Sequence, residues 1–551
     1  MKMLYLLFAF GSILIFTTIC YASDKPENLQ RQATGLFDFQ NNSISNFSFP
    51  ITNYGIFALD VPQTKGGGYW PRGSANEYLF ASGIWIGAQK RKNGDTGLSK
   101  LVELTYNPNN GFSWFVPGTI QDGNKIDSNG RDKNRIYFST DFNKTTGNSL
   151  ISTDGPNWPL WITDNTQQFP YGANKHEYIN DITKRNSSDY PKGPQFVSDE
   201  DIVSIFKDTD LSHYDGGEVI AKKRGYPFQF EIQSRIYSWK SDEMKDVVIL
   251  SYLIENKSND TLVNCWVSGV YEIDIAIATN LLNGPSNDRI KYFESNKDLN
   301  LTVGWSMTDQ GEKGQGFGYI GVSMLETPAV DAQNYIRYDK SIFDPNEQIG
   351  LKTSRNPTIY DDKFNDRYNF ISSELLDGDS GPHDTRMNMA TGPFNMRPGD
   401  VARVAFCINF ALPAKGGECD GTIEDMVGLK KFMNDEGSQT TLTYNKSLIG
   451  GLERARDLYY NRQPNSVIEN PTDLNRLSIS PNPASDFIEL YVGTRRAVSD
   501  QSEFKIFNVY GQTVLTVGVI HELPLRVNVS GLAPGMYFVR IGESVQKFIK
   551  F

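Results

Sequence analysis

The apolar and polar positions along this chain fall mostly into short blocks that read as strands. Tyr78 to Gly87 is an apolar run closed by glycine, the pattern of a buried strand. Val247 to Ile254 is a second such run. It is followed by the polar turn Asn256-Lys257-Ser258-Asn259-Asp260 and then by apolar sequence from Thr261 to Val270, continued by Tyr271 to Ala278. Two apolar runs flanking a polar turn predict a β-hairpin over Asp246 to Ala278. Helical spacing is confined to two places. Ser198-Asp199-Glu200-Asp201 ahead of Ile202, Val203, Ile205 and Phe206 predicts an N-capped short helix with acids in its first turn. Between about 422 and 461, Ile423, Met426, Leu429 and Met433 share one face, as do Leu448, Leu452, Ala455 and Tyr459, predicting a helical pair.

From 475 to 551 the period is two throughout. Leu477 to Ser480, Phe487 to Val492, Phe504 to Val509, Thr513 to Leu515, Val527 to Val529, Met536 to Ile541 and Val545 to Phe551 alternate, with turns between them. That pattern predicts a small Ig-like β-sandwich. Gln463 to Asp473, with Pro464 and Pro471, has the composition of a linker. The expected architecture is therefore mainly β: a large sandwich-like body over 23–462 with a helical segment near its end, a linker over 463–474, and the small C-terminal sandwich.

The first 22 residues read differently. Lys2 precedes an apolar run from Leu4 to Ile19, and Cys20-Tyr21-Ala22 places small residues before a cut after Ala22. The run is shorter than the ~20 residues a spanning helix needs. This predicts a signal peptide, used by the Sec translocon, and no transmembrane helix in the mature chain. Lipidation at Cys20 would want a small residue before it, where Ile19 stands.

Composition narrows the classes. The chain has 551 residues, enough for a large core without disulfides, and a net charge of -11. No basic cluster interleaves with aromatics, so nucleic acid is not an expected partner. Cys407 and Cys419 flank a turn-rich stretch and are a candidate disulfide pair. The alternative is that Cys265 and Cys407 are small buried hydrophobes in apolar strands.

Four motifs in the tail carry a family resemblance. Ser480-Pro481-Asn482-Pro483-Ala484, Asn508-Val509-Tyr510-Gly511-Gln512, Leu532-Ala533-Pro534-Gly535-Met536-Tyr537-Phe538-Val539, and a last strand bearing Lys547 and Lys550 stand in the order and spacing of the type A sorting domain of type IX secretion substrates. The resemblance implies export through the outer membrane by the type IX machinery and removal of the tail. It further implies either release or tethering to surface lipopolysaccharide, so the expected location is secreted or cell surface. It implies nothing about what the body does. Gly83-Ile84-Trp85-Ile86-Gly87, Phe115-Val116-Pro117-Gly118, Asp384-Thr385-Arg386, Gly392-Pro393-Phe394 and Pro398-Gly399-Asp400 resemble exported proteins of unassigned activity that carry the same tail.

Candidate chemistry in the body is sparse. Gly378-Asp379-Ser380-Gly381-Pro382 lacks the second glycine of a chymotrypsin-like nucleophile loop, whose backbone N–H groups build the oxyanion hole. It reads as a polar turn. His176, His213, His383 and His521 are scattered, and no Gly-x-Ser-x-Gly, HExxH or P-loop occurs. Paired carboxylates remain: Glu272 and Asp274 share one face of a predicted strand, and Asp208, Asp210 and Asp215 form an acidic loop. Either set suits a glycan hydrolase or a calcium ion, as does the fragment Asp127 to Asp132. Solvated turns are the plain alternative. Trp158 and Trp161, near Pro159 and Tyr171, are candidates for stacking on a sugar. Trp85, Trp239, Trp266 and Trp305 read as core. No cofactor is expected, calcium being the one candidate ion. The leading expectation is an exported, non-enzymatic binding or structural module with an extracellular glycan as one possible partner. The alternative is a secreted glycan-active hydrolase.

Overall fold

A computed structural model describes residues 37–91, 97–121, 134–143, 148, 150, 158, 197–214, 216–278, 285–294, 299–307, 317–337, 344–358, 364–413, 418–427, 447–460, 477–480, 484–492, 504–508, 512–517, 525–541 and 544–551. The leader and the linker lie outside the described residues. The chain divides into two units, Met1–Gln463 and Pro464–Phe551.

The main elements of the first unit, in chain order, are β1 (Asn76–Arg91), β2 (Leu98–Leu104), β3 (Glu200–Lys207), α1 (Gly217–Arg224), β4 (Phe230–Ser238), β5 (Val247–Asn256), β6 (Leu262–Ile277), β7 (Asp288–Tyr292), β8 (Leu301–Ser306), β9 (Tyr319–Glu326), β10 (Thr353–Arg355), α2 (Phe364–Ile371), β11 (Thr385–Met396), β12 (Val401–Ala411), α3 (Ile423–Val427) and α4 (Leu448–Tyr459). One antiparallel sheet runs β7-β8-β9-β12-β5-β4-β3, with Val116–Pro117 and Tyr137–Phe138 paired to β3. The other runs β10-β11-β6-β1, continued by Gly68–Tyr69, and β2 also pairs with β1.

The two sheets face each other across the main core. Val248, Leu250, Tyr252 and Ile254 of β5 and Phe406 of β12 meet Ile84 and Ile86 of β1 and Val267 and Tyr271 of β6 there, and the Tyr271 and Phe406 rings lie 6.0 Å apart. The alternate residues of the larger sheet are buried as well. Val247, Ile249, Val303, Tyr319 and Cys407 pack beneath Met426 of α3 and Leu448, Leu452 and Ala455 of α4. A strand covered on both faces needs apolar residues at every position, which is why these strands read as continuous runs. The helical segment therefore forms an outer layer. Ser447 caps α4 by accepting from the Gly450 N–H at 3.0 Å. Leu429 and Met433 lie outside the described residues.

Two sequence expectations fail here. The predicted hairpin is a crossover between sheets: β5 pairs with β4 and β12, whereas β6 pairs with β1 and β11. The polar turn is held as an arch, with Asn256 donating from its side-chain amide to the Asp260 carbonyl at 2.9 Å and the Met396 carbonyl at 3.2 Å. Pattern and turn chemistry are the same for an arch and a hairpin, so only the partners decide. The predicted helix at Ser198 to Phe206 is the strand β3. Ile202, Val203, Ile205 and Phe206 are all buried, and both faces of β3 are covered. Its acids do not line a helix turn. Glu200 accepts the Ser43 N–H at 2.9 Å, and Asp201 accepts the N–H groups of Val197 and Ser198 at 2.7 and 2.8 Å.

The second unit contains β13 (Leu477–Ser480), β14 (Phe487–Val492), β15 (Phe504–Asn508), β16 (Thr513–Val517), β17 (Leu525–Asn528), β18 (Gly535–Ile541) and β19 (Ser544–Lys550). They form a three-stranded sheet, β13-β14-β17, and a four-stranded sheet, β16-β15-β18-β19. Ile488, Leu490, Ile506, Val527, Val539 and Phe548 fill the space between them. The protein is mainly β, with a sandwich-like body and a small Ig-like C-terminal sandwich.

Candidate functional site

The acids of β6 are not alone. The strand register sets Glu272 opposite Ala81 of β1 and Arg386 of β11, and Ala276 opposite Glu77. Asp288, the first residue of β7, accepts the Ile275 N–H at 2.8 Å. Glu77, Glu272, Asp274 and Asp288 thus gather where the N-terminal ends of β1, β7 and β11 meet the C-terminal half of β6. Glu77 reaches this place over Gly66. A Cβ there would stand 1.7 Å from Glu77 Oε1, so only glycine leaves room for the carboxyl group.

Glu272 is buried and doubly held: the Tyr106 hydroxyl donates to Oε2 and the Arg386 guanidinium to Oε1. Arg386 also lies 3.3 Å from the exposed Asp384. Burial raises the Glu272 carboxyl, opposed by Arg386 and Tyr106. Burial pushes Glu77 up to about 8, with Lys65 opposing and Glu272 adding. Asp274 keeps some solvent-accessible surface, yet enough protein surrounds it that desolvation dominates. Repulsion from Glu272, Glu77 and Asp288 adds to it, and the carboxyl lies well above its ordinary range. Asp288 is fully buried and raised likewise, and its Oδ1 has no hydrogen-bond partner among the described residues. The cluster therefore sets proton-holding acids beside one acid that has a cation partner. Such a split separates acid from base roles in carboxylate enzymes. It also closes a sheet end when substrate has no access. Sequence reasoning found Glu272 and Asp274 and missed Glu77, Asp288, Tyr106 and Arg386.

The remaining candidates are spread out. Asp208 is buried and accepts the N–H groups of Phe228 and Phe230 at 2.8 and 2.7 Å; burial, opposed by these bonds, pushes it up to about 7. Asp210 holds a turn through the Ser212 N–H at 2.9 Å. Asp215 and the Asp127 to Asp132 fragment lie outside the described residues. Among the described residues, no group of three or more His, Cys, Asp or Glu is arranged to hold a metal ion. The Gly378 to Pro382 turn is stitched to β7 through Ile290 and Ser380, whose backbones exchange hydrogen bonds of 2.9 and 2.8 Å. Gly381 has φ +113°, and a Cβ there would lie 2.4 Å from the Asp288 carbonyl oxygen. Ser380 Oγ lies 3.2 Å from His383 Nε2.

Trp158 is 1% exposed and stands edge-on to Phe142 at 5.3 Å, in a cluster with Tyr137 and Val203. An indole so enclosed offers no face to a sugar, so the expected platform is corrected at this residue. Trp161 lies outside the described residues. Trp85, Trp239, Trp266 and Trp305 are buried. Cys265, Cys407 and Cys419 are free thiols, with Cys265 and Cys407 fully enclosed, so the Cys407–Cys419 pairing is not formed.

In the C-terminal unit, Pro534 precedes β18, which starts at Gly535. Tyr537 points inward, stacks on Phe548 at 5.6 Å and donates to the Ala533 carbonyl at 2.8 Å. Lys550 is buried and donates to the Phe551 carbonyl, whereas Lys547 is exposed. Pro481, Asn482, Pro483, Tyr510 and Gly511 lie outside the described residues.

Residues 478–551 match the family described as "Secretion system C-terminal sorting domain". The chain is a substrate of type IX secretion, and it is secreted or held at the cell surface. No curated protein matches. Among solved structures, a polysaccharide lyase is similar at 7% identity and TM-score 0.16, over 58% of this chain and 34% of the lyase. The chain thus spans about a third of that protein's length. The adhesin domain of Epf from Streptococcus pyogenes is similar at 10% identity and TM-score 0.11, over 55% of this chain and 79% of that one. At such TM-scores neither likeness carries an argument. Among the described residues no helix is long and apolar enough to cross a membrane.

Proposed function

We propose that residues 23–462 are a non-enzymatic binding or structural module, delivered by the C-terminal domain after a leader ending at Ala22 has used the Sec translocon. The observation that carries this reading is that the acids best suited to catalysis are committed inside the fold. Glu272 is held by Tyr106 and Arg386, and Asp208 by two backbone N–H groups. Buried acids held this way fix strand ends and loops. In this reading an extracellular glycan or surface lipopolysaccharide is a partner. The test is to incubate the purified full chain with extracellular polysaccharides and measure both retention and reducing-sugar release. Retention without release is expected. Release by the wild type that is lost in Glu272→Gln contradicts the reading.

A second reading, a secreted glycan-active hydrolase, is favoured by one observation: Asp274 and Glu77 hold protons beside the Arg386-paired Glu272. There Asp274 is the general acid and Glu272 its partner carboxylate. Asp274→Asn would then abolish release while leaving retention unchanged.

A further inference from the structure

The turn between β4 and β5 meets the N-terminal end of α4, and a small recess lies between them. Asp242, Glu243 and Asp246 of the turn, Asn409 of β12, Ser447 and Gly451 line it. Its volume is about 10 Å³, room for one water-sized group. The walls are fixed by backbone bonds: the Lys245 N–H donates to the Ser241 carbonyl at 2.8 Å, and the Phe410 N–H to the Asp246 carbonyl at 3.1 Å. Asn409 is 3% exposed and donates from Nδ2 to the Leu448 carbonyl at 2.6 Å. Its Oδ1 is buried and has no hydrogen-bond partner among the described residues. Asp246 accepts from Asn46 Nδ2 and Trp70 Nε1, each at 2.6 Å, and both donors take Oδ1. That leaves its Oδ2 as a second acceptor. Ser447 accepts the Gly450 N–H through Oγ, and its hydroxyl proton remains available to donate.

Charge and hydrogen-bonding capacity decide what suits this recess. The mouth is neutral, because Asp242 pairs with Lys245 at 2.6 Å and Glu243 with Arg454 at 3.2 Å. The positive N-terminal end of α4 opposes a cation. Among the described residues, no three acids are arranged to hold a metal ion. An anion meets the Asp246 carboxylate and the Asn409 oxygen, which repel it. An apolar group leaves the buried amide oxygen without a donor, at a cost in binding. A neutral hydroxyl both donates and accepts, so it serves an acceptor and Ser447 at once, and it makes every bond a water in its place would make. The two ion pairs at the mouth, exposed to solvent, offer further donors and acceptors to hydroxyls alongside the first. Several neutral hydroxyls on one small frame are the chemistry of a sugar.

We propose that this recess is where the body receives an extracellular glycan, one sugar hydroxyl entering beside Asn409, Asp246 and Ser447 while its neighbours meet the Asp242–Lys245 and Glu243–Arg454 pairs. The proposal rests on the binding-module reading above and adds the site and the neutral character of the sugar.

The test measures retention of the purified full chain on immobilised dextran, mannan and xylan. Asp246→Asn, which keeps the Oδ1 acceptor and turns Oδ2 into a donor, is expected to weaken retention about tenfold or more. D242A/E243A, at the exposed mouth, is expected to weaken it by a similar factor. E218A, an exposed acid on α1, is expected to change nothing. Urea midpoints check that each variant is folded, and D242A/E243A decides if Asp246→Asn is not. Retention of the wild type is expected to survive both a chelator and 1 M salt, as a neutral ligand held without metal requires. Folded variants retained as well as the wild type overturn the site and leave the binding-module reading standing. A wild type retained on none of the three polymers overturns both. Retention lost in the chelator or in high salt overturns the proposal too, since the ligand is then held through a metal or by its charge.

Discussion

Replacing Glu77 by glutamine tests the carboxylate cluster most sharply. Glu77 is 5% exposed, lies over Gly66, and has its carboxyl pushed from 4.5 up to about 8 by burial and Glu272. The folded protein therefore keeps the Glu77 proton across a pH range in which the unfolded chain has lost it. The folded state binds more protons than the unfolded state there, so stability falls as pH rises from 4.5 to about 8 and levels off above. At about 1.4 kcal/mol per pH unit, that interval is worth about 5 kcal/mol. Glu77→Gln keeps the shape and removes the titration. It also relieves Asp274, which Glu77 raises. Urea unfolding of the wild type and of the variant should agree to within about 1 kcal/mol near pH 4.5. Near pH 9 the variant should be more stable by several kcal/mol, up to about 5. Parallel pH profiles for the two proteins, or a variant less stable at high pH, would refute the assignment of a buried, proton-holding Glu77.

Other outcomes follow from the same packing. Arg403 donates to Glu326 through Nε at 2.7 Å and Nη2 at 3.1 Å, with Tyr459 of α4 donating to the same carboxylate. Arg403→Met leaves a buried charge and should destabilise the body by about 3–5 kcal/mol in urea unfolding. A loss below 1 kcal/mol would mean the pair is not enclosed as described. Gly66→Ala should cost about 1–3 kcal/mol by forcing Glu77 out of place, and pairing it with Glu77→Ala should recover most of that loss. Thiol titration of the mature chain in denaturant should count Cys265, Cys407 and Cys419 as reactive thiols. A single thiol would show that Cys407 and Cys419 are bonded.

How far the residues disclose the structure varies along the chain. The apolar runs at 78–87 and 247–254 are strands because both of their faces are covered, one by the opposing sheet and one by further layers. The face Leu448, Leu452, Ala455 packs as helical spacing requires. Period-two alternation in the tail gives its strands directly. The crossover after Asn256 was hidden because a turn does not specify which strands its arms will pair with. At β3 the acids ahead of an apolar run look like a helix start, and only their partners, Ser43 and the Val197 and Ser198 amides, show otherwise. The carboxylate cluster depends on long-range pairing: Tyr106 and Glu272 are 166 residues apart. Nothing local in Asn76-Glu77-Tyr78 or Asn287-Asp288-Arg289 signals that they will meet. The burial of Trp158 likewise depends on residues distant in sequence. Its neighbours in sequence are loop-like, while its neighbours in space, Phe142 and Tyr137, are core.

The central claim is that the C-terminal sandwich is the address of this protein. It is tested most directly by deleting residues 475–551 in the native host and following the body in periplasm, cell surface and medium. The truncated protein should accumulate in the periplasm, folded and not exported. Its appearance at the surface or in the medium at the level of the full chain would contradict the account.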